Sequence, residues 1–216
     1  MARVRVHQHV NPLARYYREL PVKPILLETI FTNPAQPVSI DIGCGRGRFL
    51  LAMAKRESTR NFIGIEIREP LVIEANEIAA NEGADNVVYE FCNATIDLET
   101  LLAKLPKDIL KMALIQFPDP WFKAKHAKRR MVRKKLVETI SNHLANDGNV
   151  FVQTDVEFLF QEICELFEEI GFTGTKLDDN PFPIKTEREI SVENRSLTVY
   201  RKILSRTIVK KGSSCG

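Results

Sequence analysis

Cysteine is sparse and unpatterned in this chain of 216 residues: Cys44, Cys92, Cys164 and Cys215 never fall as Cys-x-x-Cys. That spacing excludes a zinc knuckle and a disulfide framework, and the three inner cysteines, set in apolar segments, read as small core residues. Long apolar runs are lacking too; none nears the roughly twenty residues needed to span a bilayer. The basic start, Met1-Ala-Arg-Val-Arg-Val-His7, is followed by no apolar stretch, so no secretory signal and no membrane association are expected, and the cytoplasm is the expected compartment. His7 and His9 in such a polar arm make a poor metal site, and no metal is expected. Charge of one sign is in small excess: the formal net charge is +3. The total therefore says little about partners, and the placement of the cations matters more.

What is present is an alternation. Short β-branched or aliphatic runs at 38–42, 62–67, 87–91, 112–117 and 150–154 read as strands. Helical periodicity follows at 48–55, 70–81, 98–105, 130–144 and 158–170. In the fourth of these, Val132, Leu136, Val137, Ile140 and Leu144 form one apolar stripe. Two further strand candidates, 172–177 and 197–204, are separated by Asp178-Asp-Asn-Pro-Phe-Pro183, whose prolines interrupt a strand or helix interior. The pattern predicts an α/β fold: a mostly parallel seven-stranded sheet with helices on both faces. No helix is foreseen between the last two strands, which predicts one antiparallel edge strand. A single domain is expected, with an arm and lead-in helix over 1–34, a core over 35–204 and a flexible tail over 205–216.

The first strand runs into Asp41-Ile-Gly-Cys-Gly-Arg-Gly47. Glycines let such a loop turn tightly and approach a ligand, and in an open α/β sheet a nucleotide-like cofactor binds there. Glu66 ends the second strand, placed to accept hydrogen bonds from ribose hydroxyls. A dinucleotide fingerprint would need a third glycine where Arg48 stands. Asp-x-Gly-x-Gly-x-Gly instead resembles motif I of the S-adenosylmethionine-dependent methyltransferases, whose cofactor carries an ammonium and a sulfonium that Asp41 can complement. Asn93, after the third strand, either reaches the adenine edge or simply forms a turn.

The fourth strand ends in Phe117-Pro-Asp-Pro-Trp-Phe-Lys123, where two prolines stiffen the loop around Asp119. Trp121, the only tryptophan, either stacks on a base or fills core. Eight of the thirteen residues from 123 to 135 are Lys or Arg. Such a run is usually a solvated face; starting beside Asp119, it points to a polyanion.

Taken together, Asp41-Ile-Gly-Cys-Gly45, Gly64-Ile-Glu66, Asn93-Ala94, Phe117-Pro-Asp-Pro-Trp-x-Lys-x-x-His-x-Lys-Arg-Arg130, Gln153-Thr-Asp155 and Thr186-x-x-Glu189 resemble the bacterial tRNA (guanine-N7-)-methyltransferase family. The set keeps the family's order over most of residues 37–204, and His9-Val-Asn-Pro-Leu13 is also similar to a segment of bacterial members. The resemblance implies a Rossmann-like class I methyltransferase that uses S-adenosyl-L-methionine, without metal, to methylate N7 of the variable-loop guanine, tRNA position 46. It implies that Asp41, Gly43, Gly45, Glu66, Asn93, Ala94 and Asp119 contact the cofactor, with Asp119 the catalytic residue. Lys123, Asp155, Thr186, Glu187, Arg188 and Glu189 would contact the guanosine, and Lys125, His126, Lys128, Arg129 and Arg130 the RNA. Arg188 departs from the family, which usually has an aromatic there; Arg can also stack on a base. No obligate protein partner is expected, and the chain is taken as monomer or homodimer. Competing readings are a methyltransferase for protein or small molecules and a non-catalytic RNA-binding protein. The basic run opposes the first, the intact cofactor motif the second.

Overall fold

A computed structural model describes residues 10–207. His7, His9, Cys215 and the tail beyond 207 lie outside the described residues. Two short helical turns, α1 (Arg15–Arg18) and α2 (Leu27–Ile30), lead into β1 (Val38–Ile42). The alternation then continues through α3 (Arg48–Arg56), β2 (Asn61–Glu66), α4 (Glu69–Asn81), β3 (Val87–Phe91), α5 (Ala94–Leu102), β4 (Leu110–Gln116), α6 (Lys134–His143), β5 (Leu144–Thr154) and α7 (Glu157–Glu168). The chain closes with β6 (Phe172–Lys176), α8 (Glu187–Glu193) and β7 (Tyr200–Arg206).

The sheet order is β3-β2-β1-β4-β5-β7-β6. Every residue of β1 and β2 is buried, as expected of parallel strands covered on both faces. On one face Phe49, Leu50 and Met53 of α3 and Val72 and Ala75 of α4 pack over Phe62, Tyr89, Leu114 and Phe151. On the other, Leu98 and Leu101 of α5, Leu136 and Ile140 of α6, and Ile163 and Phe167 of α7 cover Ile40, Ile63, Ala113, Ile115 and Val152. Parallel order reverses between β1 and β4, so their carboxyl ends flank a crevice, the usual ligand position in such sheets.

Three details depart from the sequence-based expectation. The reversed strand, β7, pairs antiparallel with both β5 and β6, so it lies one place inside the edge that β6 completes. A short helix, α8, does intervene between β6 and β7; its signal is Thr186-x-x-Glu189, a capping box in which each side chain meets the other residue's backbone N–H. The helix expected from 130 starts only at Lys134, because Ala124–Arg129 is a 3-10 segment and Arg130 and Arg133 are extended.

Candidate active site

The glycine loop owes its shape to three left-handed residues: Gly43, Gly45 and Gly47 have φ of 86°, 61° and 70°. A Cβ on Gly47 would sit 2.3 Å from the Tyr89 ring, whose hydroxyl donates to the Gly47 carbonyl at 2.7 Å. No other residue type fits there. Backbone N–H groups of Gly43 and Cys44 donate to Ile65 O, which ties the loop to the end of β2.

A cavity of about 610 Å³ opens over the carboxyl ends of the parallel strands. Its lining includes Asp41, Gly43, Gly45, Glu66, Asn93 and Ala94, together with Asp119, so the structure brings into one cavity the seven residues expected at the cofactor. Asp41 is 3% exposed; Oδ2 accepts from Gln116 Nε2 at 3.2 Å, and Oδ1 has no hydrogen-bond partner. Burial pushes its carboxyl up to about 7, opposed by the Gln116 hydrogen bond and aided by the Glu66 carboxylate. A buried, half-satisfied carboxylate of this kind calls for a cation, and the ammonium and sulfonium of S-adenosylmethionine fit that demand. Glu66 accepts from Gly45 N–H at 2.9 Å and from the backbone, Nε and Nη2 of Arg68 at 2.8–3.0 Å. Any ribose hydroxyl reaching Glu66 must therefore share it with Arg68, a neighbour two residues away that sequence reasoning missed.

Asn93 does more than turn the chain. Its Oδ1 accepts from Thr95 N–H and caps α5, which is why that helix starts at Ala94. Both Nδ2 hydrogens go to the amino-terminal arm, to Pro12 O at 2.9 Å and Tyr17 O at 3.0 Å. The side-chain donors expected at the adenine edge are thus spent on the arm, which places Val10 and Pro12 in the cavity wall. Asn93→Ala is expected to destabilise the fold by about 2 kcal/mol, through two lost hydrogen bonds and a lost cap. The arm should also become sensitive to protease; a melting curve and a digestion time course check both, and an arm cut no faster than wild type refutes the tether.

The loop after β4 forms a further part of the cavity wall. Phe117 and Trp121 both adopt positive φ, 48° and 42°, on either side of Pro118-Asp119-Pro120. Two such residues in five are backbone strain held by surrounding contacts, a pattern concentrated at working sites. Asp119 lines the cavity within electrostatic reach of Arg68, the residue paired with Glu66. Across the cavity Asp155 accepts from Arg188 Nη2 at 2.6 Å. Arg188, where the family resemblance leads one to expect an aromatic, thus pairs with the neighbouring carboxylate. Thr186 and Glu187 also line the cavity, and Glu187 is ion-paired with Arg48. Glu189 does not line it. That side chain is fully buried and accepts from Arg201 at 2.8 Å, Asn180 at 2.7 Å and Gln153 at 3.4 Å, so it faces the interior and not a substrate.

The basic run also divides. Lys123, Lys125 and Lys128 are exposed at the rim, and Arg129 lines the cavity with its guanidinium 5.0 Å from the centre of the Trp121 ring. His126 meets the same indole edge-on at 5.7 Å; desolvation and the cations Arg129, Lys125 and Lys123 hold its imidazole below the usual histidine range. Arg130 belongs to the scaffold instead. It donates to Pro120 O at 3.0 Å, pairs with Glu162 and lies over Phe158, so it anchors the Asp119 loop. Among the described residues no cluster of three or more His, Cys, Asp or Glu could hold a metal, and no helix is long and apolar enough to cross a membrane.

Known proteins resemble this chain in sequence and in fold. The family model described as "Putative methyltransferase" matches residues 35–202. The tRNA (guanine-N(7)-)-methyltransferase of Trichormus variabilis is 49% identical over 94% of this chain and 96% of its own length. Those of Synechococcus elongatus and Microcystis aeruginosa are 48% and 45% identical, over 95% and 94% of this chain and 98% of their own lengths in each case. Among solved structures, the 16S rRNA methyltransferase KamB superposes with a TM-score of 0.58 at 12% identity, covering 84% of this chain and 91% of that one. A precorrin-6y C5,15-methyltransferase from Geobacter metallireducens does so with 0.54 at 12%, covering 80% and 81%. At that distance the structural likeness speaks for the class I methyltransferase fold alone. The sequence relatives go further: with the glycine loop, the Asp119 loop and Arg129 of the basic run in one cavity, the chain belongs to the tRNA (guanine-N7)-methyltransferase family.

Proposed function

We propose that this protein transfers a methyl group from S-adenosyl-L-methionine to N7 of the variable-loop guanine of tRNA, in the cytoplasm. The observation that carries the reading is a single cavity in which a buried, half-satisfied Asp41 and the carboxylates of Asp119 and Asp155 stand together beneath a basic rim. When bound, the cofactor supplies an electrophilic methyl group on a sulfonium. Asp41, the glycine loop and Glu66 would hold it.

Guanine N7 carries a lone pair and no proton, so the chain need not supply a general base. What remains is alignment of the acceptor and stabilisation of charge. Methylation leaves positive charge on the guanine, and Asp119 and Asp155 are the carboxylates able to favour it and to accept from the base's N1 and N2 hydrogens. Arg188 positions Asp155 for that purpose. The strained backbone fixes the direction of Asp119 before any substrate arrives. A guanine engaged in tertiary pairing must leave its stack at a cost of a few kcal/mol, and phosphate contacts from Lys125, Lys128 and Arg129 offset that cost.

Incubation with labelled S-adenosylmethionine and unmodified tRNA, then digestion, should yield labelled 7-methylguanosine; label in another nucleoside or in protein refutes the reading. Salt dependence separates the cations. Lys125→Gln with Lys128→Gln should lower the slope of log affinity for tRNA against log salt by between about 1 and 2. Arg130→Gln should instead lower the melting temperature, because it strands Pro120 O and Glu162. An unchanged slope in the double variant removes the rim from RNA docking.

A further inference from the structure

A row of polar side chains crosses the core between the donor and acceptor halves of the cavity. Leu114, Phe151 and Ile203, on β4, β5 and β7, belong to the apolar cluster under α3 and α4. Two residues along each strand, on the same face, stand Gln116, Gln153 and Arg201; Asp41 of β1 lies on that face in register with Leu114, and the Gln116 side chain reaches it by a hydrogen bond. All four are under a tenth exposed. Gln116 Nε2 donates to Asp41 at 3.2 Å; Gln153 Nε2 donates to Gln116 Oε1 at 2.7 Å and to Glu189 at 3.4 Å. Glu189 closes the capping box that starts α8, and Thr186, Glu187 and Arg188 at that start line the cavity. Apolar residues would cover this stretch of sheet at no desolvation cost, so a polar row here contributes something besides stability.

Resting on the reading of the site given above, we propose that Gln116 and Gln153 are positioning residues: a buried amide bridge that makes the order of the Thr186–Arg188 acceptor segment depend on a cation beside Asp41.

The polarity of the chain supplies the physics. An ionised Asp41 only accepts, so it holds Gln116 with Nε2 toward β1 and Oε1 toward β5. Gln153 must then point Nε2 at Gln116, where it also reaches Glu189. With its proton on Oδ2, the oxygen that faces Gln116, Asp41 donates there instead; Gln116 then turns its amide over, Gln153 follows, and Glu189 loses that hydrogen bond. The other ionisable groups around Asp41 are Glu66, already paired with Arg68, the Cys44 thiol and the Tyr89 phenol. None of these supplies a cation to Asp41, whereas the donor does. Two amide orientations biased from both ends make a two-state element of the kind that couples sites.

Hydrogen exchange tests this without RNA. Saturating S-adenosylhomocysteine, which carries the ammonium, should slow exchange of the α8 amides about tenfold in the wild-type chain. In Gln153→Met and in Gln116→Met the slowing should fall below about twofold while S-adenosylhomocysteine still saturates the site. Either variant suffices should the other fail to fold. Equal protection in wild type and variants, or none in wild type, overturns the proposal. A wild-type chain that gains α8 protection yet methylates no tRNA would overturn the function and leave the bridge standing.

Discussion

Asp119→Ala is expected to lower the rate of tRNA methylation at saturating substrates by about 10²–10³-fold, with S-adenosylhomocysteine binding still measurable. The size follows from where the carboxylate is and how it is held. Pro118 and Pro120 restrict the backbone on both sides, Phe117 and Trp121 are locked at positive φ, and Arg130 pins Pro120 from behind. A carboxylate fixed before reaction pays no reorganisation cost when charge develops on the base, and that is the condition under which one group is worth several kcal/mol. Single-turnover kinetics separate the chemical step from RNA binding, and Asp119→Asn, which keeps shape and removes charge, should lie nearer to alanine than to wild type. Wild-type turnover in the alanine variant would end the assignment of Asp119 as the catalytic residue.

Asp41 carries the second large effect, and its sign can be worked out. The carboxyl titrates near 3.8 in an unfolded chain and is pushed up to about 7 by burial in the folded one. Below both values the group is neutral in each state and costs nothing. Between them the native state keeps a proton that the unfolded state has lost, so stability falls as pH rises through 7, by about 4 kcal/mol in total. Asp41→Asn should therefore melt at a higher temperature than wild type at pH 8 and at nearly the same temperature near pH 4. Donor affinity runs the other way, because a cation wants the ionised group. Wild-type affinity for S-adenosylmethionine should weaken roughly tenfold from pH 8 to pH 6, and that of Asp41→Asn should be poor and flat over the same range. Calorimetric titration at the two pH values decides it: a flat wild-type profile rules out Asp41 as the cation's partner.

Much of the site was legible before any coordinates because the relevant physics is local. The glycines at 43, 45 and 47 announce a left-handed loop, the prolines around Asp119 announce a stiff one, and strand-length runs alternating with helical periodicity call for a covered parallel sheet. A one-dimensional pattern also explains why the cofactor residues converge: each ends a parallel strand, and parallel strands end on one side. Single-residue roles were less legible. Asn93 was read as an adenine contact or a turn, and it tethers the arm; Arg130 was read as an RNA contact and Glu189 as a guanosine contact, and the first is a half-buried tie and the second a fully buried one.

The sequence by itself determined the class of fold, the cation-seeking loop, the acceptor loop and the basic rim. Tertiary structure alone decided which polar groups are spent on one another: Arg188 on Asp155, Arg201 on Glu189, and two glutamines on each other. A turn or a cap is settled within a few residues of chain. The partner of a long polar side chain is settled by which strands lie side by side, and Asp41, Gln116, Gln153 and Arg201 meet only because β1, β4, β5 and β7 are consecutive in the sheet.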